Sequence, residues 1–428
     1  MASARPKAKA PAKPPASTAP SPMPSTTQQR RDWSARTEQS SLRLSPALLA
    51  QAQANSLALV DTSLLALLAN ELALTRGPEL TLAYRSVVMV SAGFKKTQQQ
   101  GSPRLTLAPC VVFIVRRKWK PGQSASRPAQ DLPRWLVAYA DQDGERLPFA
   151  LPTDVQEETA FIGAVAQGHG ATWTEPPERP WEIGAIACAV ELAHDNGVET
   201  CLLSAQHVFT PEADVDSGTV EGGLLVRPLD SLGARLTLPT LAITRAWGGL
   251  LRGEQDPHLA SFDVQLAQFT DIDSARLVVG APTLLATEPW VPDLKRLLQL
   301  NAQHWLHLVV PKNHPDGCGR APLKAQLDSV LPLPFAISYR VRHGRQRSSV
   351  WVYHQGLLKL QIEGPLWPLA GDSGSAVVVP HDDGSATLVG LYIGGNQSAA
   401  YVIPAWQLFD ARLYQALPAG AQLRPISI

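Results

Sequence analysis

Five residues near the end of the chain, Gly371-Asp372-Ser373-Gly374-Ser375, set a hydroxyl in a turn flanked by two glycines. A serine hydroxyl is a weak nucleophile, and it attacks a carbonyl only when a base takes its proton and a third group orients that base. Candidates for both precede it. His207 closes Leu202-Leu203-Ser204-Ala205-Gln206-His207, and Asp263 opens Asp263-Val264-Gln265-Leu266-Ala267-Gln268-Phe269. A tight turn around Ser373 would aim the backbone N–H groups of Gly371 and Ser373 at one point, where they can hold an oxyanion. One such donor is worth roughly 10²–10³ in turnover. Taken singly, each residue has a plainer role: a Gly/Asp/Ser turn, a buried structural histidine, an aspartate starting a strand. The serine elbow of α/β-hydrolases does not fit. It needs glycine where Ser375 stands and a histidine last in chain order, and the one histidine after Ser373 is His381.

The elements that must position these groups read mostly as strands. Ile183–Leu192 and Val198–Ser204 flank His194-Asp195-Asn196-Gly197, a hairpin signal. Further strands are expected over 223–229, 236–244, 262–269, 305–310, 335–342, 348–354, 358–363, 375–379 and 387–393. Many short strands between Gly, Pro and Asp turns indicate a barrel or a sandwich. A connecting helix fits 292–304, and helical spacing over 404–416 ends the domain. Upstream, Ser45-Pro46 is a helix entry, and helical spacing runs to about Leu74 with a break near Asp61-Thr62-Ser63. Strand character over 80–90, 105–116 and 135–140, around a Pro/Ser/Gln loop at 120–131, makes 46–155 a small α+β module. Residues 1–45 read as a disordered Pro/Ala/Ser-rich basic tail, with eight Lys or Arg against two acids.

Composition bounds the rest. The chain has 428 residues, 45% hydrophobic and 18% charged, with a formal net charge of +1. That balance argues against a general nucleic-acid binder, which needs a strongly basic face. The start lacks the apolar core of a secretory signal, and no apolar run is long enough for a membrane span. Four cysteines suit a reducing compartment. A cytoplasmic protein is expected, with an injected effector or an organelle-targeted protein as alternatives.

As a set, the residues resemble the chymotrypsin-fold (trypsin-like) serine peptidases, whose order is histidine, aspartate, serine. The gaps of 56 and 110 residues would place histidine and aspartate in one barrel and serine in the next. A closer likeness is to an intracellular bacterial and plant subset. Its motifs are matched by Gly184-Ala185-Ile186-Ala187-Cys188, Leu203-Ser204-Ala205-Gln206-His207-Val208, the seryl turn, Val389-Gly390-Leu391-Tyr392-Ile393-Gly394-Gly395, and the closing Ala400-Tyr401-Val402-Ile403-Pro404. The likeness spans about 180–416. It implies two six-stranded antiparallel β-barrels over 156–428, a mainly β fold carrying the N-terminal α+β module. It also implies His207 as general base, Asp263 as its orienter and Ser373 as nucleophile, with Gly371 and Ser373 as oxyanion donors. Substrate peptide would lie along Ile393, Gly394 and Gly395. No cofactor or metal is implied.

The chain departs from that family in two places. Trp367 stands where the family sets the base of its specificity pocket, which suggests a shallow apolar pocket. No Arg/Lys-Ile-Val-Gly-Gly precedes the domain, so Asp372 lacks the freed N-terminus that activates secreted members and needs another partner. Elsewhere, His304, His307, His314 and Cys318 match no common zinc spacing. Cys188 and Cys201 lie on the two hairpin arms, where they could face one another, as reduced thiols in a cytosol or as a bridge if the protein is exported. Arg340, Arg342, Arg345, Arg347 and Lys359 form a basic stretch read as a solvated strand face. The sequence thus points to an endopeptidase acting on a protein or peptide substrate, with 46–155 presenting substrates, docking a regulatory partner or restraining the protease. The alternative is an inactive fold of the same kind that binds protein.

Overall fold

The computed structural model describes residues 44–84, 86–99, 102–116, 118, 132–142, 144–157, 172–174, 184–209, 220–226, 241–249, 261–279, 285–311, 313–314, 317–318, 320–343, 346–369, 371–396 and 399–428. Residues 1–43 of the expected tail over 1–45 and the loop over 120–131 lie outside them, as do the side chains of the 340–347 arginines.

Helix α1 (Pro46–Ala58) starts as expected, with Ser45 Oγ accepting from Leu48 N at 3.2 Å. The break falls where Asp61 Oδ1 accepts from Ser63 N at 2.8 Å, and α2 (Ser63–Ala83) begins there. This second helix does not stop near Leu74. It runs through Pro78 because Leu65, Leu68, Leu72 and Leu80, three, four and eight residues apart, fall on one face and all are buried. Tertiary packing on that stripe outweighs the backbone hydrogen bond that proline forfeits.

The stripe packs on β1 (Val87–Gln99), β2 (Ser102–Val115), β3 (Trp135–Gln142) and β4 (Glu145–Glu157), against Val90, Val111, Phe113, Phe149 and Leu151. Strand β4 has Pro148 and Pro152 and was not expected from the sequence. Its first half pairs with β3 and its second half, from Thr153, with β2. The proline-bearing half therefore has one free edge, where a missing N–H is tolerated. Helix α1 covers that edge: Asn55 Nδ2 donates to Pro148 O at 2.8 Å, and Ser56 Oγ bridges Ala150 N (2.8 Å) and O (3.0 Å).

After the short β5 (Thr172–Thr174), two antiparallel sheets follow. One comprises β6 (Cys188–His194), β7 (Gly197–Ser204), β8 (Val220–Val226), β9 (Leu241–Gly248) and β10 (Gln265–Phe269), with the short helices α3 (Gln206–Phe209) and α4 (Ile272–Val278) at its margins. Strand β11 (Leu285–Trp290) and helix α5 (Leu294–Gln303) lead to the second. This holds β12 (Leu306–Val309), β15 (Leu323–Leu331), β18 (Leu357–Ile362), β19 (Ala376–Pro380), β20 (Ala386–Gly395) and β21 (Ala399–Pro404). The two-residue strands β13 (Asn313–His314) and β14 (Gly317–Cys318) and the hairpin β16 (Phe335–His343)–β17 (Gln346–His354) project from it. Helix α6 (Ala405–Leu408) and strand β22 (Gln422–Ile426) end the chain.

The second sheet closes. Strand order β12-β19-β20-β21-β18-β15 returns to β12 through Leu306↔Ala325 and Leu308↔Leu323, making a six-stranded antiparallel barrel. Leu327, Leu358, Leu360, Val377, Val379, Val389 and Val402 fill it. Val378, Leu388, Leu391, Ile393, Tyr401 and Ile403 point the other way and pack against Val190, Leu203, Val264 and Leu266 of the first sheet. With both faces covered, β19 to β21 read as continuous apolar runs rather than alternating ones.

One of the expected pair of six-stranded barrels is present, and two features of the described residues go beyond that expectation. The first sheet has seven strands, β22-β6-β7-β10-β9-β8-β5, and among the described residues its ends do not pair. Its seventh strand is β22, after the expected terminal helix, which adds to β6 through Leu423↔Leu192. The N-terminal strands are also not a separate sheet. Strand β1 pairs with the far half of β15 through Ala92↔Val330 and Gly93↔Ser329, extending the barrel sheet outward. Lys359, expected on a solvated face, is instead buried at this seam, where Lys96 Nζ (2.7 Å) and Lys359 Nζ (3.1 Å) both reach Asp328 Oδ2. The segment 404–416 is one short helix and a 3-10 turn rather than a long helix, because Tyr414 is drawn into the core and pairs with Gly249.

Candidate active site

The His207–Asp263 meeting follows from strand register. Strands β7 and β10 are neighbours, with Ser204 opposite Gln265. His207 lies three residues past Ser204 in α3, and Asp263 two residues before Gln265, so both emerge at the same end of the sheet. Asp263 is completely buried, and both its oxygens serve one residue. Oδ1 accepts the His207 backbone N–H at 3.1 Å, and Oδ2 lies 2.5 Å from His207 Nδ1. A carboxylate only accepts, so the ring proton sits on Nδ1 and a neutral His207 keeps the Nε2 lone pair for use as a base.

Ser373 reaches this place from the barrel. Gly374 sits at φ +89°, and a Cβ there would lie 2.1 Å from Ala185 O and 2.3 Å from Ser204 Oγ. Glycine is thus required both by the turn and by the close approach of the first sheet. The same contact is stitched by Ala185 N donating to Ser373 O (2.8 Å) and Ser204 Oγ donating to Ala185 O (2.6 Å). The seryl turn therefore rests against the strand end that carries His207. The Ser373 hydroxyl itself is directed to Ile393 O, at 3.5 Å.

The turn divides its amides into two sets. Asp372 N donates to Leu369 O, Gly374 N to Tyr392 O and Ser375 N to Asp372 O, at 2.8–3.1 Å. Gly371 N and Ser373 N have no hydrogen-bond partner among the described residues. The two amides that the sequence put forward as oxyanion donors are the uncommitted ones.

Two neighbours of the site were not found in the sequence. Arg320 meets Asp372 in a buried fork, Nη1 to Oδ1 at 2.7 Å and Nη2 to Oδ2 at 2.9 Å. It answers the question of what Asp372 pairs with, but a lone arginine between motifs carries no signal of its own. His354, at the end of β17, is buried behind the dyad: Ser261 pairs with it across a parallel bridge, and Ser261 N donates to Tyr353 O at 2.6 Å. Burial drives the His354 pKa down to about 4, against the opposing pull of the Asp263 carboxylate and a hydrogen bond with the Ser261 backbone.

The other expected residues are placed as follows. Ile393, Gly394 and Gly395 lie at the end of β20, with the Ile393 carbonyl at the serine hydroxyl. Gly395 is needed by its own partner strand, since a Cβ would meet Ala399 O at 2.2 Å. Trp367 is 44% exposed and Leu366 54%, so the tryptophan is open to solvent and is not the floor of a closed pocket. Cys188 and Cys201 are buried free thiols but not opposite one another: Cys188 faces Leu203, and Cys201 faces Val190. Burial raises the Cys188 thiol to about 12, which leaves it unreactive at neutral pH. Among the described residues no group of three or more His, Cys, Asp or Glu could hold a metal ion, and no helix is long and apolar enough to cross a membrane.

No family model matches the chain, and no curated protein does. Among solved structures it is similar to the NS6 protease from murine norovirus 1, at 11% identity over 50% of this chain and 88% of that one, with a TM-score of 0.22. A likeness this slight carries no argument; the strand order and the geometry of the site carry it instead.

Proposed function

We propose that the chain is a serine endopeptidase of the chymotrypsin-fold kind, cutting a protein substrate through an acyl-enzyme. The observation that carries this reading is the convergence of an Asp263-oriented His207 and a seryl turn with two uncommitted amides at one junction between the sheets. In the attack-ready state the Ser373 hydroxyl turns from Ile393 O toward His207 Nε2. Its proton passes to Nε2 as Oγ bonds to the scissile carbonyl carbon. The resulting oxyanion is held by the Gly371 and Ser373 amides, and Asp263 stabilises the imidazolium. Collapse breaks the C–N bond, with the Nε2 proton leaving on the amine. Water, deprotonated by His207, then releases the acid and restores the serine.

Substrate backbone extends along Ile393–Gly395, beyond Leu391, the last β20 residue paired with β19. The apolar rim at Leu366 and Trp367 favours an apolar side chain beside the cut. No cofactor takes part. The peptidase unit spans 156–428, and the module at 46–155 serves a protein partner or restrains the enzyme. The resemblance to the bacterial intracellular subset supports a cytoplasmic location.

The Ser373 hydroxyl facing Ile393 O favours a second reading, an inactive fold of this kind that binds protein. A fluorophosphonate probe separates the two. Labelling at Ser373, abolished in Ser373→Ala along with peptide cleavage, supports the enzyme. A folded wild-type chain that never labels supports the binding module.

A further inference from the structure

The segment from Trp367 to Ser373 is held at both ends by one side chain. Arg320 Nη2 donates to Trp367 O at 3.2 Å, and its fork takes both oxygens of Asp372, the residue immediately before the serine. Asp372 Oδ2 also accepts Leu369 N at 2.7 Å, so the carboxylate ties the segment to itself as well. Asp372 is completely buried, and among the described residues Arg320 is the cation paired with it. We propose that Arg320 is a positioning residue that holds the seryl turn in its working shape from the moment of folding, so that the site needs no cleavage event to switch on. This rests on the serine-hydrolase reading of Ser373.

The physical argument concerns what the turn does without the pair. A buried carboxylate with no counter-charge cannot keep its place, and it turns toward water or takes up a proton. Asp372 lies between the two uncommitted amides, those of Gly371 and Ser373, so rotation of its peptide units swings them apart. The oxyanion site is lost while the His207–Asp263 pair, which sits on the other sheet, is untouched. The pair therefore separates transition-state stabilisation from general-base geometry. A lysine would supply the charge without the planar fork, and so would restore the function in part.

The test is a comparison of Arg320→Gln, Arg320→Lys and the full wild-type chain. The readouts are fluorophosphonate labelling rate, kcat and KM on a cleavable peptide, and amide hydrogen exchange at residues 371–375. The expected result is a kcat lower by roughly 10²–10³ in Arg320→Gln with KM within a few-fold, and an intermediate kcat in Arg320→Lys. Should Arg320→Gln not fold, the paired Arg320→Gln/Asp372→Asn chain, which leaves no buried charge unmatched, is expected to fold and show the same kcat loss. Wild-type labelling together with a folded Arg320 variant of wild-type kcat overturns the proposal and leaves the hydrolase reading intact. A wild-type chain that never labels overturns the hydrolase reading instead. The clamp is then decided by exchange alone: amides 371–375 exchange faster in Arg320→Gln if the pair holds the turn, and unchanged exchange refutes it.

Discussion

Replacing Asp263 by asparagine tests the proposed mechanism at its best-defined point. The wild-type carboxylate presents two acceptors to one residue, Oδ1 to the His207 backbone N–H at 3.1 Å and Oδ2 to Nδ1 at 2.5 Å. Asparagine has one acceptor and one donor, and it is almost the same size. If its carbonyl keeps the backbone N–H, its NH₂ faces Nδ1 and forces the ring proton onto Nε2, which can then no longer take a proton from Ser373. If its carbonyl keeps Nδ1, the NH₂ opposes the backbone N–H and α3 must shift. Complete burial leaves no water to relieve either conflict. In both orientations the imidazolium also loses its counter-charge.

In the Ser-His-Asp template the wrong tautomer costs about 10⁴ in kcat, or about 5 kcal/mol of barrier at 1.36 kcal/mol per tenfold. The assay is kcat on a peptide substrate with active sites counted by fluorophosphonate, beside a circular dichroism spectrum to show that the fold is kept. A folded Asp263→Asn chain within tenfold of wild type would remove Asp263 from the mechanism and with it the argument from the β7–β10 register.

Two further perturbations probe the surroundings. His354 is neutral in the fold down to about pH 4, whereas an unfolded histidine takes its proton near 6.5. The unfolded chain thus binds the extra proton between those values, so this residue's contribution to stability is full above pH 6.5 and is lost as pH falls toward 4, by about 3 kcal/mol in all. Tm is expected to fall over that window in the wild type and to fall less in His354→Gln; parallel curves would show that His354 is not the titrating group. At the seam, burial alone would raise the Asp328 pKa, but Lys359 and Lys96 outweigh it and hold the carboxylate below its usual range. Asp328→Asn leaves two lysines facing each other and should cost about 3–5 kcal/mol in urea unfolding, whereas Lys96→Met/Asp328→Leu/Lys359→Met should come close to wild type. An Asp328→Asn chain of wild-type stability would mean that the seam draws nothing from its charges.

What the sequence made legible is what short-range chemistry writes. The β6–β7 hairpin turns at Asp195-Asn196, with His194 opposite Gly197, as the Asn-Gly signal indicates. The seryl turn is marked by its glycines, and β19 and β20 by valine runs. Strand β15 was missed, although it lies in the barrel wall and receives β1, β12 and β18. Leu323-Lys324-Ala325-Gln326-Leu327 is built from helix-favouring residues, and three partner strands, not local preference, make it extended. Strand β22 was hidden for a related reason: it pairs with β6, more than two hundred residues upstream, and nothing nearby in the chain announces that partner.

The site divides along the same line. His207, Asp263 and Ser373 each stand in a local pattern that names a chemistry, and so they stand out in the sequence alone. Arg320 and His354 act only through what they touch, a carboxylate 52 residues away in the one case and the backbone two residues before Asp263 in the other. Ala185 to Ser373 joins the first sheet to the seryl turn, and Ser261 to Tyr353 joins the approach to β10 to the β16–β17 hairpin. The first is set by the absence of a Cβ at Gly374, and the second by main-chain hydrogen bonding that any side chain would permit. A substitution at Gly374 is therefore expected to separate Ser373 from His207 directly. The residues that align the three chemical groups are thus of a different kind from the groups themselves: their identity is fixed by volume and charge at one point in the fold, which only the folded chain defines.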